Sequence, residues 1–209
     1  TLTAHRATDT LSRSMALTTR PPIRTRRFRR VEYERLAELG FFQPGERLEL
    51  IDGLLVVREP QGTPHATAVR LAVAALRRAF GAGWHVDSQL PVALDDDSEP
   101  EPDVAVVPGG PRDYLVAHPS RPVLVLQVAE ASLEFDRGYK ASLYARAGVA
   151  DYWIVNLVER TLEIRRHPEP LDAALCGWSY RTLDVLMPAA AVAPLAAPAT
   201  RILVADLLP

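Results

Sequence analysis

Lysine is almost missing from this sequence. Of the 24 Lys and Arg residues, 23 are arginine, and the one lysine is Lys140 in the stretch DRGYK, Asp136 to Lys140. A GC-rich coding sequence gives this bias, and the abundance of Ala, Val, Leu and Pro, without selection for function. The single exception matters more, because lysine is a compact ammonium whose pKa can shift, whereas guanidinium is planar and permanently charged. Two readings stand: a helix-surface ion pair of Lys140 with Asp136, or an ammonium needed at a reacting centre.

Cysteine is as scarce. Cys176 alone excludes an intramolecular disulfide and any cysteine-based zinc cluster, and it fits a reducing cytoplasm. No apolar run approaches the roughly 20 residues of a spanning helix, so a soluble protein is expected, with no membrane partner. The opening TLTAHRATDTLSRSM lacks the apolar core of a secretory signal, which leaves Met15 as a candidate initiator and the preceding residues as a tail expected to be disordered. A glycine-rich phosphate loop is missing, which argues against a nucleotide-binding enzyme, and so is a G-x-S-x-G nucleophile turn.

What is there is globular. The 209 residues, 48% hydrophobic and 24% charged, suffice for one ordinary domain with its own core. The net charge of -2 does not advertise a nucleic-acid binder, yet RPPIRTRRFRR, Arg20 to Arg30, holds Arg20, Arg24, Arg26, Arg27, Arg29 and Arg30 with no acid. Residues 1–30 are therefore read as a flexible basic arm ahead of a single domain over 31–209. Such an arm either grips phosphates with salt-dependent affinity or is merely solvated.

Along the domain, VEYERLAEL predicts a first helix over Val31 to Leu39, with Val31, Leu36 and Leu39 on one face. RLELIDGLLVV reads as two strands around Asp52-Gly53, a strong hairpin signal that puts Glu49 on the first strand. From His65, HATAVRLAVAALRRAF carries Val69, Val73, Leu76 and Phe80 at helical spacing, with Arg70, Arg77 and Arg78 off that stripe. The helix is expected to close at Gly81 and Gly83. HVDSQLPVAL reads as a strand, DDDSEPEPD as a charged turn, DVAVV as a strand, and VLVLQVA as a buried strand with six of seven residues apolar.

Asp136 to Ala147 predicts a second long helix ending at Gly148, as a left-handed cap would. DYWIVN and TLEIRR follow as paired strands joined through LVER. Tyr152 and Trp153 suit either the core or an interface. Leu186 to Pro198 reads as a loop, and RILVADLL as a terminal strand or short helix. The sum is a mixed sheet with two main helices, an α/β or α+β fold.

Candidate chemistry gathers in a few places. Asp103 follows Pro102 at the mouth of a strand, either as one more acid of the turn or as a functional carboxylate. Gln127 is a polar residue in an apolar strand, which requires hydrogen-bond partners or a site. Asp136, Lys140 and Tyr144 share a helical face. If that face turns toward Gln127, a carboxylate, an amide and an ammonium converge.

Together ERLELIDGLL, His65 opening a helix, EPDVAVV, VLVLQVAEAS and DRGYKASLYARAGVADYWIVN resemble the Uma family of restriction-endonuclease-like proteins, within the PD-(D/E)XK nuclease superfamily. The resemblance covers roughly Val31 to Arg166; the ordered series is specific, and each motif alone is not. It implies a restriction-endonuclease-like mixed sheet flanked by helices, and a divalent-metal site, Mg²⁺ or Mn²⁺, that hydrolyses phosphodiester bonds in DNA. By position, Asp103 matches the superfamily's metal-binding aspartate, and Gln127 falls where a second acid is usual. The lysine that commonly follows two residues later is Ala129 here, and Lys140 on the next helix takes its part.

Glu49 and His65 match further polar positions, and the backbone carbonyl of Val128 is an implied ligand beside Asp103 and Gln127. With Gln127 the site has one negative charge fewer than the family pattern, which implies weaker metal binding or an inactive module on the same fold. Glu130, three residues on, would point away from Gln127 in an extended strand. A symmetric homodimer is expected, since cutting both strands needs two sites.

Overall fold

The computed structural model describes residues 25–58 and 60–209. The hairpin forms where Asp52-Gly53 predicts it: β1 (Leu48–Ile51) pairs antiparallel with β2 (Leu54–Val57), with Ile51 opposite Leu54. Both turn residues take positive φ, 48° at Asp52 and 77° at Gly53, the conformation whose twist matches the flanking strands. Gly53 is also held by space, because a Cβ there would lie 2.6 Å from Arg27 Cβ.

Helix α1 (Arg30–Glu38) buries a different face from the expected one. Val31 and Leu39 are 65% and 64% exposed, and the anchor is Tyr33, whose hydroxyl donates to the Leu48 carbonyl at 2.8 Å. Its ring packs with Phe42, Leu48 and Leu50, since one aromatic ring covers more area than the scattered aliphatics. Of the expected arm, residues 25–30 are tied to the domain: Phe28 N–H donates to the Gly53 carbonyl, and Arg26, Arg27, Arg29 and Arg30 pair with Glu32, Asp52, Asp96 and Glu34. Arg20, Arg24, Met15 and the rest of 1–24 lie outside the described residues.

The main sheet has six strands in spatial order β3 (Trp84–Asp87), β4 (Val104–Pro108), β5 (Leu124–Ala129), β6 (Asp151–Asn156), β7 (Thr161–Pro170) and β8 (Trp178–Leu186). Only β5 and β6 run parallel. A parallel pair needs a long crossover, and the chain between them supplies the second helical segment. Alternation along β5 divides the core: Leu124, Leu126 and Val128 pack with α2 (Thr63–Phe80) through Ala68, Ala72 and Leu76, whereas Val125 and Ala129 pack with Ala141 and Tyr144 on the other face. Gln127 stands on that second face. Tyr152 and Trp153 are fully buried, which places them in the core.

Of the expected strand HVDSQLPVAL only the start pairs, as β3. Gln89 takes φ 54° and donates its N–H toward the Pro102 and Asp103 carbonyls, and Pro91 has no N–H for a ladder. Strand β8 has no counterpart in the sequence reading: no residue in it is fully buried and Leu183, Asp184 and Val185 are all exposed, so neither face carries a core stripe. The C-terminal segment forms β9 (Ala191–Val192), β10 (Ile202–Leu203) and a short 3₁₀ turn, Val204–Leu207. Among the described residues no helix is long and apolar enough to cross a membrane.

Candidate active site

Three pieces of backbone meet at one end of the sheet. Hairpin alternation puts Glu49, opposite Val56, on the inward face. Asp103 precedes β4, and Gln127 lies across from it on β5, so Asp103 N–H reaches Gln127 Oε1 at 3.4 Å. The second helical segment runs as α3 (Leu133–Phe135), a π-turn over Asp136–Lys140, and α4 (Ala141–Arg146), with Gly148 at φ 75° beyond its end. The π-turn spans the DRGYK motif; such turns are frequent at functional sites because the wider coil re-aims side chains. Together these walls enclose an open cavity of about 360 Å³ lined by Glu49, Arg58, His65, Asp103, Gln127, Val128, Asp136 and Lys140, among others.

Lys140 is buried, and its partner is Glu49 rather than Asp136: Nζ lies 2.9 Å from Oε1 and 3.2 Å from Oε2. The surface pairing with Asp136 is thereby excluded. Glu49 Oε2 also accepts from Glu101 N–H at 3.0 Å, so both its oxygens are engaged. Lys140 Nζ lies 5.7 Å from the Phe135 ring centroid, within range of a cation–π contact.

Asp103 is 3% exposed. Its Oδ2 accepts from Val128 N–H at 2.9 Å and lies 3.3 Å from His65 Nε2. Oδ1 faces three weaker donors: Gln61 Nε2 at 3.3 Å, with Gln89 Nε2 and Arg58 Nη2 both at 3.4 Å. Burial pushes the Asp103 carboxyl up, but the neighbouring His65, the Val128 N–H and the Lys140 ammonium outweigh it and hold the group below the usual carboxylate range. Asp103 is thus an ionised carboxylate with one oxygen firmly held and one loosely held. His65, two residues into α2, has its Nδ1 buried with no hydrogen-bond partner among the described residues.

Gln127 is satisfied on both sides: Oε1 takes the Asp103 N–H and Nε2 donates to the Tyr144 hydroxyl at 3.1 Å. Burial drives the Tyr144 phenol far above its ordinary pKa, so it stays neutral. Asp136 accepts from the Ser132 hydroxyl at 2.6 Å; burial raises its carboxyl to about 6 despite Lys140 and Ser132, which pull it down. Glu130 lies one residue beyond β5, exposed at the pocket rim, so the alternation of an extended strand does not govern it.

The six positions that the family resemblance implies for the site, Glu49, His65, Asp103, Gln127, Val128 and Lys140, all line this one cavity, whereas Tyr144 stands behind Gln127 and does not. Among the described residues no group of three or more His, Cys, Asp or Glu side chains is arranged to hold a metal ion. Arg58, Gln61 and Gln89 escaped sequence reasoning. For Arg58 a signal existed, since a two-residue turn fixes Glu49 against Val56 and alternation then returns residue 58 to the same face. For Gln89 there was none, because its positive φ is visible only in the folded chain.

No curated protein matches the chain. Among solved structures, one described as "a putative nuclease belonging to DUF820" from Anabaena variabilis ATCC 29413 is similar, with a TM-score of 0.61 and 17% identity over 81% of this chain and 94% of that one. At that identity the likeness shows a shared fold. The family described as "Uma2: Putative restriction endonuclease" matches residues 30–193, well over half of the sequence and all of the elements that build the cavity. The chain belongs to the Uma2 family.

Proposed function

We propose that this chain is a divalent-metal-dependent endonuclease that hydrolyses phosphodiester bonds in DNA. The observation that carries the reading is the convergence of Lys140, Glu49 and Asp103 in one open cavity. A buried ion pair is costly to assemble and poor as a source of stability, so its place beside an ionised Asp103 in a cleft favours a functional role.

The donor chemistry suits Mg²⁺ or Mn²⁺. Hard cations take oxygen ligands, and Mg²⁺ usually needs only one or two carboxylates because it keeps several waters. Asp103 would be the principal ligand through its loosely held oxygen, with the Val128 carbonyl and Gln127 amide as neutral donors and Glu49 in reserve. When bound, the ion supplies charge stabilisation at the phosphoryl oxygens and a more acidic water. His65 and the Val128 N–H fix the Asp103 carboxylate in place. Lys140, positioned by Glu49, orients the attacking water or stabilises the charge that develops on phosphorus oxygens. Gln127 holds the Asp103 backbone without adding charge, and a tens-fold weaker metal affinity than with a second acid there follows from that missing charge.

A second reading, an inactive nuclease-fold module that binds DNA or protein, is favoured by Gln127 itself. A homodimer with two sites would let the enzyme cut both strands, and a cytoplasmic location suits the single cysteine. Nicking of supercoiled plasmid with Mg²⁺ or Mn²⁺ by wild type, Lys140→Ala and Gln127→Glu separates the readings. Lysine-dependent nicking supports the nuclease, activity only in Gln127→Glu identifies a scaffold disarmed at one residue, and silence in all three supports the module.

A further inference from the structure

Arg58 takes no part in that account. It is the residue after β2, and its N–H donates to the Arg47 carbonyl at 2.8 Å, which extends the hairpin ladder and sets its side chain on the face of Glu49 and Val56. The side chain is 8% exposed and lines the cavity. Its two contacts are unequal. Nη1 lies 2.7 Å from Glu101 Oε2, a strong charge-assisted bond, while Nη2 lies 3.4 Å from Asp103 Oδ1, at the weak end of hydrogen bonding.

That imbalance leaves the Asp103 side of the guanidinium available. Gln61 and Gln89 donate to the same Oδ1 at the same range, so Asp103 keeps partners if Arg58 turns away. A guanidinium has more N–H donors than these two acceptors use, and its fork matches the oxygens of a phosphate. Lys140, the other buried cation of the cavity, is committed to both oxygens of Glu49 and is the poorer candidate for this duty.

We propose that Arg58 is the phosphate-binding residue of the cavity: held from behind by Glu101, it exchanges its weak contact with Asp103 for the non-bridging oxygens of a nucleic-acid backbone phosphate. The class of substrate rests on the nuclease reading; the anchoring of Arg58 does not. Glu101 then acts as a positioning residue that aims the guanidinium.

The test is fluorescence anisotropy of a labelled DNA duplex with EDTA present, over a salt series, for wild type, Arg58→Lys and Arg58→Met, with thermal melts of each protein. Arg58→Met should bind at least about tenfold more weakly and lower the slope of log K against log salt by about one; Arg58→Lys should keep the slope and lose part of the affinity. Inorganic phosphate at equal ionic strength should compete in wild type more than in Arg58→Met if the shared ligand is the phosphate group. Wild-type affinity and slope in Arg58→Met would overturn the assignment, as would duplex binding by none of the proteins. If Arg58→Met does not fold, Arg58→Lys decides: affinity equal to wild type overturns it. Arg58-dependent binding without plasmid cleavage would retain the assignment and sink the nuclease reading, whereas cleavage with Arg58-independent binding would do the reverse.

Discussion

Lys140 Nζ lies 2.9 Å from Glu49 Oε1, across 91 positions of sequence and between two elements that share no strand pairing. Both groups are nearly free of solvent. Removing one partner of such a pair strands the other as a bare buried charge. Lys140→Met should therefore cost about 3–5 kcal/mol in denaturant unfolding, and the double variant Glu49→Gln/Lys140→Met should recover most of it. Nuclease activity should remain absent from the double variant although its stability returns, which separates a catalytic role of the Glu49–Lys140 pair from a structural one.

Gln127→Glu should fold. Its carboxylate can still accept the Asp103 N–H, and the Tyr144 hydroxyl can turn from acceptor to donor. The added charge beside Asp103 should tighten Mn²⁺ binding by about tenfold or more in isothermal titration. Unchanged Mn²⁺ affinity would remove Gln127 from the proposed metal site.

The Asp136 carboxyl gives a pH signature of its own. Burial raises it to about 6 in the fold, whereas an unfolded aspartate titrates near 4, so the fold keeps a proton that the unfolded chain has released. The stability that goes with this group is complete below about pH 4 and is lost as pH rises through 6. Asp136→Asn cannot ionise. Its stability relative to wild type should climb by about 2–3 kcal/mol from pH 4 to above 6 and then level off; a flat difference would contradict the raised carboxyl.

Gly53→Ala should destabilise by about 1 kcal/mol or more, since φ 77° disfavours a side chain and the new Cβ would press on Arg27. Because this turn sets the register that presents Glu49 and Arg58, a loss of DNA affinity should accompany the lower melting temperature.

How much of this was legible in the sequence follows from which interactions are local. The Asp52-Gly53 hairpin, the stripe Val69, Leu76 and Phe80 on α2, and the apolar run of β5 are set by neighbouring residues, and all are present. Tyr33 and β8 were obscured because their environment is tertiary: Tyr33 owes its burial to the hairpin and Phe42, and β8 shows apolar residues to solvent. The choice of candidate site residues came from the ordered motifs. Their partners did not: Lys140 with Asp136 is the pair that helical spacing suggests, and the chain pairs it with Glu49 because the hairpin arrives there from elsewhere. Arg58 could have been found by carrying the hairpin register one residue past β2.

The proposed cleavage of DNA in this cavity has Lys140 at its centre. Plasmid nicking with Mn²⁺ by wild type and by the Glu49→Gln/Lys140→Met double variant, with thermal melts of both, tests it most directly. Nicking by wild type and none by the double variant is the expected result. Equal nicking by both proteins would contradict it.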